Sequence, residues 1–224
     1  MKAVKIVLVA AIAVIFSVNA FAGDWRPFFK DDLSNAVYPE GIWTVDADGV
    51  IIPSEDENIW VIEEFENFEL SFEFKNEHTT NSGVFVYCPD PNAGDWSLNM
   101  LEVQIFDDSD RIREGGEPVL HSCGALYGHL APSKLTVKDP GEWNLMVIRC
   151  VGPVIGVTLN GEKIAEMDMR LWTERDKNPD GSSIPPWLVG EPKSTAATKG
   201  AIGFQGKHGS AGIYFRNVMV RDAE

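Results

Sequence analysis

Residues 67–75 restrict what this chain can become more than any other stretch. Phe68, Leu70, Phe72 and Phe74 alternate with Glu69, Ser71, Glu73 and Lys75, the period of a strand with one buried and one wet face. A helix would scatter those four apolar groups around its circumference. So large an apolar row needs a second sheet to cover it, and the rest of the chain supplies one. Residues 82–88 carry Val84 and Val86 on one face, Phe85 and Tyr87 on the other. A strand apolar on both faces is predicted to be central and covered twice. Shorter strands are expected at 43–45 and 49–52, joined through Asp48-Gly49, and at 58–62, 101–107, 142–150, 201–205 and 212–221. Within 154–167, Asn160-Gly161 stands between two apolar runs, the strongest short hairpin signal. About ten or eleven short strands, with neither repeat nor linker, predict one all-β domain, a sandwich or jelly roll of two antiparallel sheets.

Residues 1–22 stand apart from that fold. Lys2 and Lys5 precede an apolar run from Ile6 to Val18, and Ala20-Phe21-Ala22 offers a small-residue cleavage site. This is the layout of a bacterial-type secretory leader, cut after Ala22. The run is too short to span a bilayer, and no cysteine follows the cut to carry a lipid. The mature domain, 23–224, is therefore expected to be exported, periplasmic or secreted, and free of the membrane. The chain has a net charge of −15, and loss of the two leader lysines brings it to about −17. Such charge argues against nucleic acid and anionic membranes as partners and says little about a neutral sugar. Cys88, Cys123 and Cys150 match no zinc spacing and are expected as buried thiols, with at most one disulfide.

The chemistry is expected in residues 101–107, Leu-Glu-Val-Gln-Ile-Phe-Asp. Val103 and Ile105 fall on one face, Glu102 and Gln104 on the other. Strict alternation sends Asp107 with the apolar pair. A single β-bulge after Gln104 would return it to the side of Glu102, and bulges recur beside active sites. The plainer alternative is a half-exposed strand whose acids face water.

A set of short motifs then occurs in order: Asn81-Ser82-Gly83-Val84-Phe85, Glu102-Val103-Gln104-Ile105, Gly124-Ala125-Leu126-Tyr127-Gly128 and Gly141-Glu142-Trp143-Asn144. Leu159-Asn160-Gly161, Gly203-Phe204-Gln205-Gly206-Lys207-His208-Gly209 and Ile213-Tyr214-Phe215-Arg216-Asn217-Val218 complete it. Together they resemble the 3-keto-disaccharide hydrolase domain family over nearly all of the mature chain. The resemblance implies a concanavalin A-like lectin/glucanase jelly-roll sandwich and cleavage of 3-keto-glycosides or 3-keto-disaccharides. Cleavage would run by hydrolysis, or by C2-proton abstraction, elimination and hydration. Laminarinase-like glycosidases of the same fold carry Glu-x-Asp-x-x-Glu on one strand, where this chain reads Glu102-x-Gln104-x-x-Asp107. Losing the middle acid argues against an ordinary retaining mechanism, which needs two carboxyl groups about 5–5.5 Å apart.

Read against that chemistry, Glu102 is the candidate base and Asp107 the candidate leaving-group acid. His208, in a Gly-Lys-His-Gly turn, competes for either proton transfer because its ordinary pKa lies near neutrality; its plainer role is a solvated loop residue. Arg216 and Lys207 are candidates to hold an enolate or sugar oxygen. Arg216 suits pairing with a carboxylate equally well, and Lys207 suits simple exposure. Gln104 and Asn81 are candidate hydroxyl binders, Asn81 alternatively a turn former. Tyr127 and Trp187 are candidate sugar platforms. Trp187 alternatively anchors the proline-rich connection 173–200, whose length marks a lid, a binding loop or disorder. His121 and His129 could join Glu102 or Asp107 around a catalytic divalent metal, and loop acids could hold a structural calcium ion. No cofactor is required by the sequence, and Asp24, Asp31 and Asp32 match no calcium-binding loop. Two other readings remain beside the enzyme: a non-catalytic, lectin-like carbohydrate-binding module on the same sandwich, and a structural partner domain with aromatic-rich loops.

Overall fold

The computed structural model describes residues 23–224; the leader expected at 1–22, with its cleavage point, lies outside them. The described chain forms β1 (Arg26–Pro27), β2 (Trp43–Val45), β3 (Ile51–Pro53), β4 (Ile59–Phe65), β5 (Phe68–Asn76), β6 (Asn81–Cys88) and β7 (Leu101–Phe106). A five-residue helix, α1 (Ser109–Arg113), follows. Then come β8 (Trp143–Val151), β9 (Val154–Leu159), β10 (Glu162–Asp168), β11 (Gly200–Phe204) and β12 (Ile213–Asp222). The larger sheet runs β10-β9-β8-β5-β12-β3-β2, with β1 on β12; the smaller runs β4-β11-β6-β7. All pairings are antiparallel. This is a concanavalin A-like jelly-roll sandwich.

Alternation puts the core between the sheets. Phe68, Leu70, Phe72 and Phe74 of β5 face Val84 and Val86 of β6, Val103 and Ile105 of β7, and Ile202 and Phe204 of β11. Phe204 sits at the aromatic centre, its ring 5.1 Å from Phe215, 5.3 Å from Phe72 and 5.5 Å from Phe29. As the doubly apolar pattern required, β6 is central and buried almost throughout. The Asn160-Gly161 turn joins β9 to β10 with positive φ at both residues, 52° and 84°, the type I′ geometry that matches strand twist. Cys88, Cys123 and Cys150 are buried free thiols, and burial pushes Cys88 up to about 11. Thiols so protected are poor nucleophiles. No described helix is long and apolar enough to cross a membrane.

Residues 124–128 run beside β7 as an isolated bridge, Val103 with Leu126, held by backbone bonds from Tyr127 N–H to Glu102 O (2.9 Å) and Gln104 N–H to Ala125 O (2.9 Å). One local expectation changes, at the strand bearing the acids. Its register with β6 is unbroken from Asn81–Phe106 to Val86–Leu101. There is no bulge.

Candidate active site

Cross-strand register builds one row of side chains on the outer face of the smaller sheet. Trp60 of β4 lies opposite Gly203 of β11, Gly203 opposite Phe85 of β6, and Phe85 opposite Glu102 of β7. The bridge at Leu126 sets Tyr127 beside Glu102 on the same face. Gly203 is required here: a Cβ on it would meet the Trp60 ring at 2.5 Å. Without that Cβ, Trp60 reaches across and stacks on Phe85, ring centroids 5.4 Å apart. A second row, Gln205, Gly83 and Gln104, runs alongside, with Gln205 N–H bonded to Gly83 O at 2.9 Å. Gln104 is buried and donates through Nε2 to Asn81 Oδ1 at 2.8 Å.

Glu102 leans into this strip. A Cβ on Gly83 would lie 2.3 Å from its Oε1, so the carboxyl occupies the space that glycine leaves. No hydrogen bond or ion pair holds that carboxyl among the described residues. Burial alone pushes it up to about 8, because a carboxylate taken from water with no compensating partner resists ionisation. Acids of this kind are rare in structural roles and common at reacting centres. Gly83 has no left-handed φ, so alanine fits its backbone and collides only with Glu102. Gly83→Ala is expected to lower kcat/KM by about tenfold to a hundredfold through displacement of the carboxyl. Its melting temperature should stay within a few degrees of the parent. Full activity in that variant would remove Glu102 from the reaction.

The other expected site residues divide. Asn81, Gln104 and Tyr127 share the face with Glu102. His208 stands at its rim: its N–H bonds Asn81 O at 3.1 Å, and its Nδ1 lies 2.6 Å from Asp56 Oδ2. Lys207 is half-buried at the same rim, its N–H on Glu55 O at 3.1 Å; the Gly212 N–H and the Tyr214 hydroxyl hold the Glu77 carboxyl low, and the Lys207 charge adds to them. Trp187 is 66% exposed. Its neighbours Pro185 and Leu188, not Trp187 itself, anchor the loop by packing on Gly128.

Asp107 and Arg216 are elsewhere. With no bulge, Asp107 leaves β7 on the side away from Glu102, and both its oxygens are engaged by Thr79 N–H (2.9 Å) and Ser109 N–H (3.0 Å). Thr79 has a φ of 67°, a conformation costly for a β-branched residue, and Asp107 serves to hold that turn. Arg216 lies on the outer face of the larger sheet, because Phe215 turns inward. There it grips Glu73 with two bonds of 3.0 and 3.2 Å and lies 3.9 Å from the Trp143 ring. The whole sandwich separates it from Glu102.

The expected histidine pair also parts. His121 is exposed, edge-on to Phe106. His129 is buried, its Nδ1 2.8 Å from Tyr127 O, and burial pushes it down to about 4. The described residues contain no group of three His, Cys, Asp or Glu placed to hold a metal ion.

Four residues escaped the sequence reading: Gly83, Trp60, Gln205 and Lys193. Alternation around Phe204 already put Gln205 outward. Lys193 carried no local signal, being one lysine in a polar loop. It is buried, donates to Leu98 O (2.8 Å) and Met100 O (3.0 Å), and is pushed down to about 8 by burial. It ties the loop before β7 to the long connection. Asn178 fixes that connection again, accepting from Trp172 Nε1 (2.9 Å) and donating to Gly128 O (3.2 Å). The segment is strapped down at both places.

A family model for the 3-keto-alpha-glucoside-1,2-lyase-like domain matches residues 20–221. The chain belongs to this family. Among solved structures, the lyase-like domain is 49% identical to a glycosyl-hydrolase candidate from Parabacteroides distasonis, with a TM-score of 0.82, covering 89% of this chain and 99% of that one. A second such candidate from the same organism is 25% identical, TM-score 0.68, over 90% and 94% of the two chains. The carbohydrate-binding module CBM66 of Bacillus subtilis shares the fold at 12% identity, TM-score 0.53, over 87% and 99%. A search of curated protein sequences gives no match.

Proposed function

We propose that this lyase-like domain cleaves 3-keto-glycosides by elimination followed by hydration, with Glu102 as the base, and that it does so after export. The observation that carries the reading is the Glu102 carboxyl itself: unpaired, poised near pH 8, and set among amides and an aromatic ring on one sheet face. A ketone at C3 acidifies the C2 hydrogen. Glu102, as carboxylate, removes that proton, and the C2–H electrons form the C2=C3 enolate. The enolate reforms the C3 carbonyl, its C2=C3 electrons form the C1=C2 double bond, and the C1–O bond breaks with the leaving oxygen taking a proton. Water then adds across C1=C2, giving the free 3-keto sugar. Gln205 and Asn81, the latter held by buried Gln104, offer amide groups to the ring hydroxyls, and Tyr127 offers a face to its C–H side.

With Asp107 turned away, His208 is the proton donor for the leaving oxygen. Asp56 on Nδ1 orients its ring and leaves Nε2 toward solvent. Its backbone contact, Asn81, lies two residues along β6 from Gly83, about 7 Å, a span that a bound sugar bridges. The test is a product-resolved assay on an oxidised and an unoxidised disaccharide. The 3-keto substrate is expected to release 3-keto sugar or its enol, and the native disaccharide to remain intact. Saturable binding of sugar without product would instead favour a binding module.

The pH dependence follows from the sign of the shift. A base must be ionised, so the limb of kcat/KM that Glu102 controls should rise with pH and bend near 8, multiplied by the falling limb that the proton donor sets. A profile that bends near the ordinary carboxyl value would contradict this role for Glu102.

A further inference from the structure

The reaction leaves Trp187 without a task, although its surroundings are firm. It sits in a three-residue 3₁₀ turn, Pro186–Leu188, entered through Ile184 and Pro185. Ile184 is buried, the two prolines fix their own φ angles, and Leu188 and Val189 pack on the core. Further along, Gly190 lies so close to Leu98 that a Cβ on it would meet the Leu98 Cβ at 3.2 Å. Lys193 then donates to Leu98 O and Met100 O. Between these fixed points the indole stands 66% exposed. Trp25, at 38%, rests against the Arg221 guanidinium, 4.5 Å away; among the described residues no cation or ring covers Trp187. A large apolar ring held in water forgoes the gain of burial. Held rigidly, it costs little ordering when a ligand covers it.

We propose that Trp187 is the platform for a second sugar ring of the substrate, joined to the 3-keto ring at the end away from the leaving group; the inference rests on the reading of Glu102 as the reacting group.

The connection bearing Trp187 turns the corner of the face on which Glu102 stands. Pro185 and Leu188 touch Gly128, the residue after Tyr127, and Tyr127 N–H is bonded to Glu102 O. Gly190 and Lys193 touch Leu98 and Met100, just ahead of β7. Trp187 lies in the chain between these two sets of contacts. One interstrand step of about 5 Å and one residue of about 3.3 Å lead from Glu102 to Gly128. Glu102, Tyr127 and Leu188 each keep some exposed surface along the way. His208 is on the opposite side, across β6, with its N–H on Asn81 O. C1 and C4 stand at opposite ends of a pyranose. A leaving oxygen on C1 directed to His208 therefore turns O4 of the 3-keto ring toward Trp187.

The indole also selects its occupant. A pyranose carries flat C–H faces and a girdle of hydroxyls. Laid on the ring, it covers apolar surface while its hydroxyls stay in water, so neither partner loses hydrogen bonds.

The test uses the full chain and three substrates of matching anomeric form. Methyl 3-keto-glucoside is compared with methyl maltoside and methyl cellobioside that carry the ketone on the methyl-bearing ring. Methanol leaves in every case, and the substrates differ only by the α- or β-linked ring on O4. One of the two-ring substrates is expected to exceed the one-ring substrate in kcat/KM by at least tenfold, chiefly through KM. Trp187→Ala should bring that ratio close to one, and Trp187→Phe should restore part of it. Trp187 is on the surface, so both variants keep the fold. No advantage for the second ring, or an advantage that survives Trp187→Ala, overturns the assignment. Calorimetry with unoxidised methyl maltoside and methyl cellobioside separates the two readings. If no 3-keto substrate turns over but one of these glycosides binds, at least tenfold more weakly to the alanine variant, the platform stands and the role of Glu102 falls. If the one-ring substrate turns over and the second ring adds nothing, Glu102 stands and the platform falls.

Discussion

Glu102→Gln should lower kcat/KM on a 3-keto-glycoside by about 10²–10⁴, the usual contribution of a positioned proton-transfer group, while making the protein more stable at pH 8. The second half of that result separates a reacting acid from a structural one. The folded-state pKa of Glu102 is about 8, against an ordinary value of 4.5. Below pH 4.5 both folded and unfolded chains hold the proton. Between 4.5 and 8 the unfolded chain releases it while the folded chain keeps it, so the native state loses ground steadily as pH rises. Above 8 the full penalty is in place. Glutamine removes that penalty at almost the same volume. Because Glu102 keeps some contact with water, the gain is put at about 1–2 kcal/mol rather than the full shift. That corresponds to a rise of about 2–4 °C per kcal/mol in the melting temperature of a domain this size. Scanning calorimetry at pH 5 and pH 8, beside single-turnover kinetics, reads both halves. A variant that is inactive and also destabilised at pH 8 would mean the carboxyl supports the fold, and the catalytic role would lapse. Sites that sacrifice stability for reactivity behave in the expected way.

Phe204→Ala is the largest stability change expected from a single substitution, a loss of about 3–5 kcal/mol. Its ring meets Phe28, Phe29, Phe72 and Phe215 in the middle of the sandwich and is fully buried. Truncation removes apolar area and leaves a void against rings of the larger sheet and of the segment after β1, which cannot collapse without moving strands. Against a typical total of about 5–15 kcal/mol, the denaturation midpoint should fall by about a fifth or more with the slope unchanged. Phe204→Leu should cost far less, since it refills most of the space. The consequence reaches the active face as well. Gly203 and Gln205 flank Phe204, so loosening β11 disturbs the Trp60–Phe85 stack and the amide beside Glu102. A loss under 1 kcal/mol would show that the two sheets do not meet where Phe204 places them.

Most of the architecture was legible along the chain because β-structure writes its faces into local order. Four alternating apolar residues in β5 fixed a buried face, the doubly apolar β6 fixed a central strand, and Asn160-Gly161 fixed a hairpin. Each of these rests on neighbours in sequence, where the side-chain period of two leaves little freedom. The same rule put Glu102 and Gln104 outward together. It also turned Asp107 inward, and the bulge invoked to reverse this was unnecessary once Thr79 had a use for both of its oxygens.

What the sequence alone determined is the sandwich, its buried faces and the outward display of one acid and one amide on β7. Only the tertiary structure decided which other residues share that face. Asn81 and Tyr127 came to it, whereas Arg216 went to the far side of the molecule, held by Glu73 and Trp143. Gly83 became the resting place of the Glu102 carboxyl, and Trp60 reached Phe85 over Gly203. The reason is physical. A residue's face is set by its immediate neighbours, but its partners across a sheet are set by pairings between distant segments, and those depend on how the whole core closes.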